Sequence, residues 1–176
     1  SSVTFDGDWF SNVDITSRGT LTTAGNLFRL YGTATLDLYG ALNKAYALQG
    51  TITFHDGASQ TGNLFLEGGS SPVMNFELSE TGFTTINTGG TLFAYDPWAN
   101  VTFNVDISQY DRTLGTTIVL MDFNGYSDQG AGAETGFTNA TRNVTGHSGG
   151  TLSWDAATDR IVLEVVPIRG TMVTIK

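Results

Sequence analysis

The chain has 176 residues, enough for one domain with a core of its own, and its eight basic against seventeen acidic residues give a net charge of −9. That balance argues against nucleic acid and anionic membrane surfaces, which both select clustered Lys and Arg, and no apolar run is long enough to enter a bilayer. The absence of cysteine excludes disulfides, a thiol nucleophile and thiolate zinc sites.

Charged residues make up only 14% of the chain, and Thr, Ser, Asn and 22 glycines take their place. Such a mixture suits pleated strands and tight turns and is poor for helices. In chain order, runs of β-formers predict strands near Val3–Phe5, Val13–Ile15, Thr20–Thr22, Asn26–Tyr31, Ala34–Tyr39, Ala45–Leu48, Thr51–His55 and Asn63–Glu67. They continue near Val73–Leu78, Phe83–Asn87, Thr91–Tyr95, Ala99–Ile107, Thr116–Asp122, Thr151–Trp154, Ile161–Val166 and Thr171–Ile175. Turn pairs such as Asp6-Gly7, Asp56-Gly57, Gly89-Gly90 and Asn124-Gly125 punctuate them. Alternation places Met74, Phe76 and Leu78, and likewise Val101, Phe103, Val105 and Ile107, on an inner face. Ile118-Val119-Leu120-Met121 is apolar on both faces and predicts a central strand.

Only Tyr39–Leu48 is spaced for one or two turns of helix, and Asp155–Thr158 reads as a tight turn or one helical turn, so the fold class is all-β with essentially no helix. The short strands suit either a parallel β-helix-like solenoid or a β-sandwich or jelly roll. Gly-Thr starts at Gly19, Gly32, Gly50 and Gly90 form a soft repeat without a fixed period. Residues 1–176 read as a single domain with a sub-boundary near 70, beyond which the patterning is clearer. A first residue that is serine reads as a mature product or an excised piece.

From Met74-Asn75-Phe76-Glu77-Leu78 onward the order of features carries a resemblance. It runs through Gly89-Gly90-Thr91-Leu92, the alternating strand to Ile107, Gly115–Phe123, a Gly-rich loop, Gly149–Asp155, Ile161-Val162-Leu163 and Val165-Val166-Pro167. This half of the chain resembles the C-terminal β-rich region of autotransporter-like and PEP-CTERM-sorted extracellular surface proteins, the last coils and cap of a right-handed parallel β-helix. The resemblance implies export to the cell surface, a structural or adhesive role, and no catalytic set. The sorting tail of that group is absent, and Thr171–Ile175 reads as a further strand instead.

Several constellations are candidates for chemistry. Asp122, Asn124 and Asp128 place oxygen ligands at alternating positions, as a calcium loop would, although without the glycine and glutamate spacing of an EF-hand. Tyr95 and Trp98, flanking a turn, are candidates to stack on sugar rings. Asn100, Asn139 and Asn143 head Asn-x-Thr glycosylation triplets, the last two in an apparent loop. Glu77 and Asp106 sit on wet strand faces, where a glycosidase-like pair would need a cleft. His55 and His147 stand apart without triad or metal spacing. Thr20/Thr22, Thr33/Thr35 and Thr51/Thr53 invite comparison with water-ordering arrays. Val3 and Phe5 at one end and Met172 and Ile175 at the other mark edge strands suited to exchange between subunits.

The sequence therefore points to a non-catalytic extracellular structural protein, a subunit or module of a surface or matrix filament that self-associates through terminal strands. A carbohydrate-binding or adhesin module is the alternative, followed by a polysaccharide-active enzyme or an ice-binding protein. No cofactor is expected beyond calcium, and the partners expected are other copies and glycans.

Overall fold

The computed structural model describes residues 2–5, 9–23, 28–43, 46–95, 98–111, 113, 117–128, 130, 132–146 and 149–167; the side chains at 2, 3, 5, 9, 23, 46–48 and 128 lie outside that description. The chain lays down strands three at a time. The first triplet is β1 (Ser2–Phe5), β2 (Trp9–Ser11) and β3 (Asp14–Ser17), and the second is β4 (Thr20–Thr23), β5 (Phe28–Tyr31) and β6 (Thr35–Leu38). Then come β7 (Ala41–Leu42), β8 (Tyr46–Leu48) and β9 (Thr51–His55), followed by β10 (Ser59–Gln60), β11 (Gly62–Glu67) and β12 (Val73–Glu77). The fifth triplet is β13 (Ile86–Asn87), β14 (Gly89–Tyr95) and β15 (Thr102–Asp106), and the sixth is β16 (Thr117–Asp122), β17 (Gly125–Asp128) and β18 (Thr141–Thr145). A hairpin of β19 (Gly150–Asp155) and β20 (Arg160–Val165) follows.

Each strand except β10 pairs with the one three places on, always in parallel, until the hairpin. This gives two six-stranded sheets, β2-β5-β8-β11-β14-β17 and β3-β6-β9-β12-β15-β18, and a four-stranded sheet β1-β4-β7-β10. A second four-stranded sheet, β13-β16-β20-β19, is parallel at β13–β16 and antiparallel beyond. The protein is all-β with parallel sheets, and β16 is interior to its sheet, as its two apolar faces predict.

Register turns alternation into columns. Leu36, Ile52, Met74 and Phe103 stack across four strands at one inner position, and Leu38, Phe54, Phe76 and Val105 at another. All eight are buried, and Phe54 stacks on Phe76 at 5.6 Å between ring centroids. Leu30, Leu66 and Ala94, with Leu64 and Leu92, do the same in the other six-stranded sheet. In the inner column of β1-β4-β7-β10, Gln60 is a fully buried polar side chain, and its amide donates to the Gly62 carbonyl at 2.8 Å.

The last layer is built differently. Arg142 occupies the β18 position in register with Phe103, where an apolar residue would be expected. The gap is filled instead by α1 (Ala133–Asn139), whose Phe137 packs on Phe103 at 4.7 Å, and by Trp154 of β19, which meets Phe137 and Tyr126. Arg142 turns aside to donate to the Leu152 carbonyl at 3.2 Å. Gly136 is needed here because a Cβ would penetrate the Trp98 indole.

Two local expectations are corrected. Tyr39–Leu48 holds two strands rather than a helix, because the buried Leu42 pairs in register with Leu21, and the backbone at 48 pairs in register with 30 and 66. The helix is Ala133–Asn139, within the expected Gly-rich loop, which also contains β17 and leads into β18. Asp155–Thr158 takes the tight-turn alternative, as the hairpin turn closed by Asp155, which accepts from the Ala157 amide and the Thr158 hydroxyl. The expected strand Thr171–Ile175, with Met172 and Ile175, lies outside the described residues. The two six-stranded sheets run on across residue 70, whereas the row of β1, β4, β7 and β10 ends there and β13 begins another sheet.

Candidate functional site

The largest polar array is the outer face of the sheet from β3 to β18. At one outward position Thr35, Thr51, Val73, Thr102 and Thr141 line up, and two residues on Asp37, Thr53, Asn75, Asn104 and Asn143 do so. Strand spacing sets neighbours in a column about 4.8 Å apart. That separation suits a hydrogen bond between successive amides, and a ladder results. Asn143 donates to Asn104 at 2.8 Å, Asn104 to Asn75 at 2.8 Å, and Asn75 to the Thr53 hydroxyl at 3.1 Å.

A third outward column begins beside β3 and carries the charge. The Arg18 guanidinium lies 4.1 Å above the Tyr39 ring, and Tyr39 stacks face to face on His55 at 3.6 Å and 7°. His55 Nδ1 is 3.0 Å from Glu77 Oε2, and its Nε2 is 3.8 Å from Asp37 Oδ1. Glu77 and Asp106 are direct cross-strand neighbours, so the fold does bring that acidic pair together. It does so on an open face, with Glu77 turned to His55 and Asp106 accepting from the Ser108 amide at 2.8 Å. His55 ends β9 ahead of the Asp56-Gly57 turn, as read from sequence, and is also the centre of this column. The period-three stacking of strands was the missing signal, since it aligns residues 18, 39, 55 and 77.

Two side chains of the expected calcium loop have protein partners. Asp122 Oδ2 accepts from Arg160 Nε at 3.0 Å and Nη2 at 2.8 Å, which raises the Arg160 pKa above its ordinary value. The Asn124 amide donates to the Gly89 carbonyl at 3.0 Å. Asp128 continues β17, and its side chain lies outside the description. Among the described residues no three His, Asp or Glu side chains gather as metal ligands would.

Trp98 does not present a stacking surface. It is 2% exposed, buried in the short helical turn Trp98–Asn100 against α1, because the cap needs bulk over the last core layer. Tyr95 does face outward, in register with Glu67 and two residues from Phe93. Phe65 and Phe93 stack on this outer face at 4.7 Å and 8°, so each covers one face of the other. Of the glycosylation candidates, Asn100 and Asn139 are exposed, the latter ending α1. Asn143 lies mid-strand in β18 rather than in a loop, and its side-chain amide is already donated to Asn104.

The Thr-x-Thr pairs separate. Thr20 and Thr22 lie on the first four-stranded sheet, where Thr22 bonds Thr4 at 2.9 Å. Thr51 and Thr53 lie on the six-stranded face, and Thr33 sits at a corner bonded to Asn12. Val3 and Phe5 belong to β1, an edge strand. Three open depressions of about 400, 330 and 250 Å³ surround β16 and the hairpin. Their walls are mostly Thr, Gly and aliphatic residues, with Glu164, Arg142 and Tyr110 as the ionisable members.

No family model, no curated protein and no solved structure matches this chain.

Proposed function

We propose that the chain is a non-catalytic structural module of an extracellular surface or matrix protein, built as a short parallel β-solenoid. The observation that carries this reading is the ladder from Asn143 through Asn104 and Asn75 to Thr53. Polar side chains on the broadest face are bonded along the stack, perpendicular to the strands, where they bind one layer to the next. A reactive site would instead hold acids or bases free and aimed into a water-excluding pocket. The nearest ionisable cluster, Asp37, His55 and Glu77, lies on an open face with its groups turned toward each other. The test exposes the folded chain to neutral and acidic polysaccharides and measures released reducing ends and unsaturated products. No release is expected, together with resistance of the stack to proteolysis; turnover abolished by Glu77→Gln would overturn the reading.

A second reading, glycan adhesion, is favoured by the outward Phe65, Phe93 and Tyr95 beside Glu67. Affinity electrophoresis in neutral polysaccharide gels tests it: retardation lost in Tyr95→Ala supports adhesion, and free migration of the native chain removes it.

A further inference from the structure

On the outer face of the sheet from β3 to β18, charge gathers around one ring. His55 ends β9, and its side chain is 14% exposed. Glu77 of β12 meets it on one side, with Oε2 3.0 Å from Nδ1 and so within hydrogen-bond reach. A neutral imidazole that donates from Nδ1 keeps a lone pair on Nε2. That second nitrogen is buried and has no hydrogen-bond partner. It faces another acceptor instead, Asp37 Oδ1 of β6 at 3.8 Å. A lone pair set against a carboxylate is repelled, whereas a proton between them makes a charge-assisted bond.

The other groups around the ring weigh mostly to the same side. Asp106 of β15 stands beside Glu77 in register, and Asp56 follows His55 in the chain, where it accepts from the Thr84 amide at 2.7 Å. Tyr39 stacks flat on the imidazole at 3.6 Å, and an aromatic face attracts a charged ring more than a neutral one. Among the described residues Arg18 alone opposes, from 4.1 Å above the other face of Tyr39. It is exposed and lies beyond the Tyr39 ring, so water screens its repulsion, while both carboxylates flank the imidazole directly.

We propose that His55 is an acid-closed clasp: uptake of a proton at Nε2 draws Asp37 into hydrogen-bond contact and ties β6, β9 and β12 together across the outer face. The stack then tightens as its surroundings acidify. Imidazoles change charge between about pH 8 and about pH 5, so the clasp answers to ordinary changes of medium. Its sign is fixed by linkage. The unfolded chain offers the charged ring no such partners, so the contribution is present where the ring is charged and fades as pH rises. Asp37 and Glu77 are 49% and 52% exposed, which keeps each pair modest.

The test is urea unfolding of the 176-residue chain, followed by tryptophan fluorescence at fixed ionic strength from about pH 8 to about pH 5.5. An acidic chain loses self-repulsion as pH falls, so the measure is the gain of the native chain in excess of that of His55→Gln. The excess is expected to reach about threefold in the unfolding equilibrium constant, the scale of one or two half-exposed ion pairs. Asp37→Asn should abolish it, because the amide donates to the neutral Nε2 and no longer calls for a proton there. Arg18→Gln should leave the excess intact or enlarge it, since the opposing cation is gone. Where His55→Gln does not fold, Asp37→Asn at its half-exposed position decides alone. Equal pH dependence in the native chain and His55→Gln, an Asp37→Asn chain that keeps the native gain, or an excess that disappears in Arg18→Gln would each overturn the inference. These measurements involve neither ligand nor turnover, so their failure leaves the proposed function standing.

Discussion

Replacing Asn104 by alanine removes two hydrogen bonds at once, the one it donates to Asn75 and the one it accepts from Asn143. A hydrogen bond contributes about 0.5–1.5 kcal/mol net, and water takes over part of that at a half-buried position, so the expected loss is about 1–2 kcal/mol. Asn143→Ala at the exposed end of the ladder removes one bond and should cost about half as much. Asn75→Ala should cost at least as much as Asn104→Ala, because it also strands the Thr53 hydroxyl, whose residue is 8% exposed. Asn75 and Asn104 share a bond, so the double variant should fall short of additivity by about 0.5–1 kcal/mol. Asn104→Thr retains strand propensity and separates that contribution from the ladder's. Urea unfolding followed by tryptophan fluorescence reads these as midpoint shifts at constant slope. If Asn104→Ala costs less than about 0.3 kcal/mol, or less than Asn143→Ala, the cross-layer account of the face is wrong.

Phe76→Ala opens a cavity at a fully buried ring stacked on Phe54 and should cost about 3–5 kcal/mol, whereas Phe65→Ala on the outer face should cost far less; chemical denaturation of both variants checks the order. Hydrogen bonds from Thr158 and Ala157 hold the Asp155 carboxyl below its ordinary range, and the Thr113 bonds do the same for Asp111. A depressed carboxylate contributes stability that is complete above its unfolded pKa and lost as pH falls through the folded one. Melting temperature should therefore drop below about pH 4, and less steeply in Asp155→Asn. Millimolar calcium should leave the native melting temperature unchanged, since Arg160 holds Asp122; a rise that chelator reverses would contradict that assignment.

Strand positions were legible wherever side chains alternate strongly, as from Met74 to Leu78 and from Val101 to Ile107. The strands that escaped notice are short or polar, such as Ala41–Leu42, Ser59–Gln60 and Thr141–Thr145. Their pairing is imposed by the stack rather than by their own propensity. The helix was hidden for a related reason. Ala133–Asn139 is poor in helix formers, with Gly136 and two threonines, and it exists because Phe137 must reach the last core layer. Trp98 was misplaced because a turn in sequence suggests exposure, while burial here is decided by the cap. The column of Arg18, Tyr39, His55 and Glu77 was beyond sequence reasoning altogether, since nothing local relates residues so unevenly spaced.

That unevenness has a practical meaning. Sixteen residues separate Thr35 from its register partner Thr51, and thirty-nine separate Thr102 from Thr141, yet both pairs sit side by side in the same column. The corners between strands thus behave as free-length tethers, while the layers they join are locked to a fixed repeat. Foreign segments of some twenty residues grafted at a corner should be displayed outward at a known height along the stack, which makes the molecule a ruler with removable marks.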